Sequence, residues 1–254
     1  MFGGIYIYLA LVRQLQARLP DFARPAGRRF GFPEVILAVG LTALFLFNAW
    51  VAYSRVGKPT LGSNDLLANA LISLALFLFV AAFLKFRGLA VVTLAGFAKL
   101  PVWRAILTGV VLLFAAYPLI FVADLISQQV LGSPSSRQSI VEIFSESHTI
   151  EQRILIIVMA VSIAPLVEEF VFRFFFYGVV RRYLGRVAGL VANSVLFAVV
   201  HAHLPSAMPL FMLGACLTLA YEWSGSILVP MTMHALFNAI TLAALAFPEL
   251  LQQQ

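Results

Sequence analysis

The chain has 254 residues, 62% of them hydrophobic and 11% charged, with a net charge of +6 and a mean hydropathy of +0.97. Water-soluble domains carry about 25% charged residues. So few charges cannot solvate a surface of this size, which excludes a soluble globular protein and requires apolar runs of bilayer length. The 17 lysines and arginines lie in short clusters between apolar runs. That is the pattern of membrane topology signals and not of a nucleic-acid-binding face, so no nucleic-acid partner is expected. The single cysteine, Cys216, lies in an apolar stretch and reads as a buried, inert thiol.

In chain order, the N-terminal MFGGIYIYLALVRQ lacks a basic leader region and a small-residue cleavage site, and reads as retained. Gln14–Phe30 is basic, with Arg18, Arg24, Arg28 and Arg29, and is broken by Pro20 and Pro25; it is expected at the lipid headgroups. About seven spans follow: Phe32–Tyr53, Leu66–Leu84, Ala105–Ala123, Ile154–Tyr183, Val187–Leu204, Ala207–Trp223 and Ile227–Phe247. Between the second and third lies the basic linker Lys85–Arg104. Asp124–Arg153 is the polar exception, a GSPSSRQS loop and a short amphipathic helix around SIVEIFSESHTIEQ. The fold class is therefore all-α, a polytopic bundle of about seven to eight spans. It divides into an N-terminal membrane region, 1–150, and a C-terminal core, 151–247. If the spans alternate, twelve of the basic residues fall on one side and four on the other, with Arg173 inside a run. That asymmetry predicts a cytoplasmic N-terminus.

An ionisable group inside a membrane helix costs about 2.5–3.5 kcal/mol on insertion scales and is a functional candidate for that reason. The run IAPLVEEFVFRFFFYGVV holds three, Glu168, Glu169 and Arg173, just after Pro165. On a helix, Glu169 and Arg173 stand four apart and can pair, while Glu168 is rotated about 100° away and free to face a cavity. Phe197 and His201 share a helix face, as do His234 and Asn238. His203, about 200° round from His201, should point away from any common pocket. His148 lies in the polar loop. One carboxylate and two imidazoles can activate water directly or on a metal. Glu168, His201 and His234 form a catalytic-zinc composition, but HExxH is absent and the spacing does not require a metal. The competing readings of these residues are a structural ion network or, as in transporters, a proton path.

EEFVFR at Glu168–Arg173, FAVVH at Phe197–His201 and HALFN at His234–Asn238 resemble, in that order, the EExxxR, FxxxH and HxxxN motifs of the CAAX protease and bacteriocin-processing (Abi) family of intramembrane endopeptidases. The resemblance covers about Arg153–Asn238. It implies peptide-bond hydrolysis of membrane-associated or prenylated peptide substrates that enter from the lipid. Glu168 and His201 would activate the attacking water, and His234 and Asn238 would stabilise the oxyanion. Glu169, Arg173 and Phe197 would support them. No cofactor is favoured, with zinc as the alternative, and the setting it implies is a bacterial plasma membrane. The competing classes are a non-catalytic scaffold or bacteriocin-immunity protein, and a proton-coupled transporter; no inverted repeat is visible for the latter.

One geometric expectation separates these readings. For a hydrolase, Glu168, His201, His234 and Asn238 must converge, with carboxylate and imidazole in direct or one-water reach. Counted along ideal helices, Glu168 lies about 20 Å from the membrane surface below Arg181, but His234 only about 12 Å from Ser226. The groups can meet only if helices tilt or the Pro165 segment is irregular.

Overall fold

The computed structural model describes residues 2–18, 30–54, 62–131, 144, 147 and 149–246, and the regular structure among them is entirely helical. The helices are α1 (Phe2–Ala17), α2 (Phe32–Ser54), α3 (Ser63–Phe86), the short α4 (Val91–Leu94), α5 (Val102–Leu131), α6 (Ile150–Val158), α7 (Ala164–Glu168), α8 (Tyr177–Val200), α9 (Ala207–Ser224) and α10 (Leu228–Ala246). Two π-helical stretches, Met159–Ile163 and Glu169–Phe176, join α6, α7 and α8 into one continuous run. Five helical runs among the described residues are long and apolar enough to cross a membrane, and Leu228–Ala244 is a shorter apolar helix.

The 51-residue run Ile150–Val200 is too long for one crossing, since about 20 residues suffice. It reverses at Gly185, whose φ of 87° and ψ of 174° only glycine adopts without strain. Gly189 then packs back on Arg181: a Cβ there would lie 3.2 Å from the Arg181 Cα. The run is thus a helical hairpin, and the break predicted between Tyr183 and Val187 falls at its tip.

Large apolar side chains face outward, Phe47, Trp50, Ile72, Leu78, Phe79 and Phe114 among them, while Glu34, Glu169, Arg173 and Asn193 are buried. This inversion is ruinous in water and expected in lipid, where no hydrophobic force draws apolar groups inward and polar groups need partners. The bundle is an integral membrane protein. Its centre is built around Phe170, Phe172, Phe174, Phe175 and Phe197, stacked edge-on or tilted at 5.2–5.7 Å between centroids (Phe170–Phe174, Phe172–Phe197).

Two segments depart from the sequence expectation. Residues 2–13, assigned no element, form most of α1, which packs against α5. The Tyr8 hydroxyl donates to the Leu112 carbonyl at 3.0 Å, and a Cβ on Gly4 would overlap the Ala115 carbonyl. Only Gln14–Arg18 of the predicted headgroup segment, and Phe30, lie within the described residues; Arg24, Arg28 and Arg29 lie outside them. Likewise, α5 does not stop at Ala123 but continues to Leu131. Asp124 is tolerated there because its carboxylate accepts from Gln128 at 2.8 Å, and Ser127 because it donates to the Pro205 carbonyl at 2.9 Å. Local pairing meets part of the polarity that set this stretch apart from the apolar runs, while Asp124 Oδ1 is buried without a hydrogen-bond partner among the described residues. The GSPSSRQS segment and His148 lie outside the described residues.

The three basic regions gather at one end of the bundle. Glu222, at the end of α9, accepts from Arg181 (2.6 Å), Arg186 (3.0 Å) and the Tyr177 hydroxyl (2.9 Å). Arg18 donates to the Trp223 carbonyl at 2.9 Å, and Arg104 of the 85–104 linker shares a cleft with Arg18 and Trp223.

Candidate active site

The hairpin positions the charged residues. Gly189 stands opposite Arg181, and eight residues further along each leg Phe197 lies under the Arg173 guanidinium, 4.2 Å from its ring centre. The same register brings His201, at the C-cap of α8, level with Glu169. Ala202 follows in the left-handed conformation (φ 49°), which ends the helix sharply after the imidazole.

Glu169 is the hub. It is fully buried, and one oxygen, Oε1, receives both Arg173 Nη1 at 3.1 Å and His234 Nδ1 at 2.8 Å. The Arg173 N–H groups meet no acceptor in hydrogen-bond geometry among the described residues. Its charge is held by the Glu169 carboxylate and the face of Phe197, a desolvated cation–π contact. An ionised Glu169 can only accept, so His234 Nδ1 carries a proton and its Nε2 points elsewhere. That Nε2 lies 3.9 Å from Glu168 Oε2. The separation is too long for a direct hydrogen bond, and Glu168 Oε2 is buried without a hydrogen-bond partner among the described residues.

Glu168 retains 28% exposure of its side chain while Glu169 and Arg173 have none. Of the neighbouring carboxylates, one is therefore locked in an ion pair and the other is part-exposed, with its Oε2 buried beside His234. His201 donates from Nδ1 to the Phe197 carbonyl at 2.7 Å, which leaves Nε2 unengaged by that bond. Its ring lies 4.8 Å from that of Phe197, which in turn lies 5.8 Å from the ring of His234. His201 is within electrostatic reach of Glu168, His234 and Arg173. Asn238, one turn beyond His234, donates from Nδ2 to the Ala160 carbonyl at 2.7 Å. His203 is turned to Ser206, with Nδ1 and Oγ 2.9 Å apart.

The depth mismatch between Glu168 and His234 disappears for two physical reasons. The segment around Pro165 is irregular, with hydrogen bonds spanning five residues from Ala164 N–H to Met159 O and from Tyr177 N–H to Phe172 O. At the other side, α10 does not start at the surface. Ser226 and Ile227 are fully buried, and the Ile227 N–H is bound to the Ala95 carbonyl at 3.0 Å. The 85–104 linker folds over this turn, so His234 lies deeper than a count from a surface loop implies.

Among the described residues no three His, Cys, Asp or Glu side chains are grouped as a metal-ion site, and the set Glu168, His201 and His234 is not so gathered.

Sequence reasoning assigned Glu169 to Arg173 alone and missed its bond to His234, 65 residues away; nothing in the spacing signals it. It also passed over Glu222 and the buried Glu34, paired with Arg87 at 3.1 Å. Both stand alone in apolar helices, and the rule that flagged Glu168 would have found them.

Residues 150–240 match the family described as Type II CAAX prenyl endopeptidase Rce1-like. The membrane-embedded CAAX protease MroQ of Staphylococcus aureus (strain USA300) is 30% identical over 112 residues, 41% of this chain and 45% of that protein. The similarity thus spans less than half of that relative's length. No solved structure matches. The stretch that carries every one of these motif residues is thus similar to CAAX prenyl endopeptidases and to a membrane-embedded CAAX protease.

Proposed function

We propose that this chain hydrolyses peptide bonds of membrane-associated peptides or proteins that enter from the lipid, using a carboxylate base and no metal. Glu168 removes a proton from water held between its carboxylate and the imidazoles, with His201 assisting. The oxygen attacks the scissile carbonyl, and His234, protonated on both ring nitrogens, through Nε2–H and Asn238 through Nδ2–H donate to the oxyanion. Such donors are worth about 2.7–4 kcal/mol each in soluble enzymes. The proton held by Glu168 passes to the leaving nitrogen. Glu169 and Arg173 hold His234 and the helix in place. On this reading the catalytic core is 151–247 and the N-terminal membrane region 1–150, in a bacterial plasma membrane with the N-terminus in the cytoplasm.

The observation that carries it is the asymmetry of the two glutamates: Glu169 neutralised by Arg173 and bonded to His234, and Glu168 part-exposed and 3.9 Å from the other nitrogen of the same imidazole. A structural ion network has no use for the second carboxylate. The test is cleavage of labelled membrane-associated peptides by purified protein in lipid vesicles. Glu168→Gln should lower cleavage by about 10²–10⁴-fold while leaving the melting temperature in detergent unchanged. Equal activity of this variant and wild type rejects the assignment, and no cleavage by wild type favours the scaffold reading.

A further inference from the structure

The helical run before the site contains a carbonyl that its own backbone cannot satisfy. In an α-helix the Ala160 carbonyl would accept from the Ala164 N–H, but that N–H is bonded to Met159, one residue further back. In this π register the next donor for Ala160 would be residue 165, which is proline and has no N–H. Ala160 is buried, and an unpaired backbone carbonyl at membrane depth costs several kcal/mol. Asn238 of α10 supplies the missing donor at 2.7 Å.

We propose that Pro165 is a positioning residue for Asn238. By withholding an N–H, it leaves the Ala160 carbonyl as the fixed acceptor that clamps one N–H of the Asn238 amide. The amide cannot then rotate, and its second N–H is held ready on the same face of α10 as His234, one turn away. The inference rests on the oxyanion role proposed above for Asn238, and adds the device that orients it. Preorganised donors stabilise a developing charge without reorganising at the moment of reaction, and a freely rotating amide would lose that advantage.

Pro165→Ala tests it, because alanine is the best helix former and introduces only the N–H. That N–H falls in the five-residue register of the Ala164–Met159 bond and competes with Asn238 for Ala160. The variant should melt at or above the wild-type temperature, yet lose about tenfold or more in kcat with KM within about twofold, a fraction of the 10²–10³ lost with a whole oxyanion donor. Asn238→Ala should lose more, and Pro165→Ala combined with Asn238→Ala should be no worse than Asn238→Ala alone, since one acts through the other. Wild-type kcat in Pro165→Ala overturns the proposal, as does a double variant whose loss is the product of the single losses. A second readout needs no cleavage: the Asn238 side-chain amide resonance of isotope-labelled protein, assigned by its disappearance in Asn238→Ala. Its movement in Pro165→Ala supports the clamp and its constancy overturns it, even if the wild type proves to have no protease activity.

Discussion

Replacing Glu169 by glutamine removes one charge and changes almost nothing in shape. Among the described residues that charge is the only carboxylate ion-paired with Arg173, a guanidinium with no exposure, at 3.1 Å. Breaking a buried ion pair from one side costs about 3–5 kcal/mol, because the surviving charge stays desolvated and uncompensated. The glutamine oxygen can still accept from His234 Nδ1, so that bond is weakened and not lost, and the loss stays within this range. For a chain of this length 1 kcal/mol shifts the melting temperature by about 2–4 °C, giving a fall of about 6–20 °C in detergent. The same experiment includes Arg173→Met and the double variant. Removing both charges takes away the uncompensated ion, so the double variant should melt above Glu169→Gln alone. A fall of under about 2 °C, or a double variant with the sum of both single losses, would show that the pair does not hold this helix and that the division of labour between the two glutamates is wrong.

Further outcomes follow from other parts of the molecule. Gly4→Val should separate α1 from α5, since its Cβ would overlap the Ala115 carbonyl; the expected loss is about 1–3 kcal/mol, and unchanged thermal unfolding refutes this packing. On the carboxylate reading, purified protein should carry zinc well below one ion per chain and keep its activity through chelation. Stoichiometric zinc whose removal abolishes cleavage and whose return restores it overturns that reading. A cysteine placed by Arg182→Cys, exposed beside the Gly185 turn, should react with an impermeant maleimide only from the cytoplasmic side, with the buried Cys216 silent; labelling only from outside inverts the orientation.

Hydropathy alone established an all-helical membrane bundle, because the cost of exposing the peptide backbone to lipid leaves helices as the solution for apolar runs of this length. The break near Gly185 was legible because Arg181, Arg182 and Arg186 interrupt the apolar run there. The candidate residues were legible for the same reason in reverse: Glu168, Glu169, Arg173, His201 and His234 are expensive where they stand, and expense is a local property. The Glu169–Arg173 pair was readable too, since four residues on a helix is a fixed distance.

What the sequence did not contain were relations between segments. That Glu169 serves His234 as well as Arg173 depends on where α10 begins, and it begins inside the protein because the 85–104 linker covers the turn before it through Ala95 and Ile227. That α5 runs through Asp124 to Leu131 depends on Gln128 and on a carbonyl from Pro205, 78 residues from Ser127. α1 reads as an unassigned end until α5 presents the groove that Gly4 and Tyr8 fill. Local spacing determines which groups can share a helix face; which faces meet, and at what depth, is decided by packing among helices whose order in space the chain order does not encode.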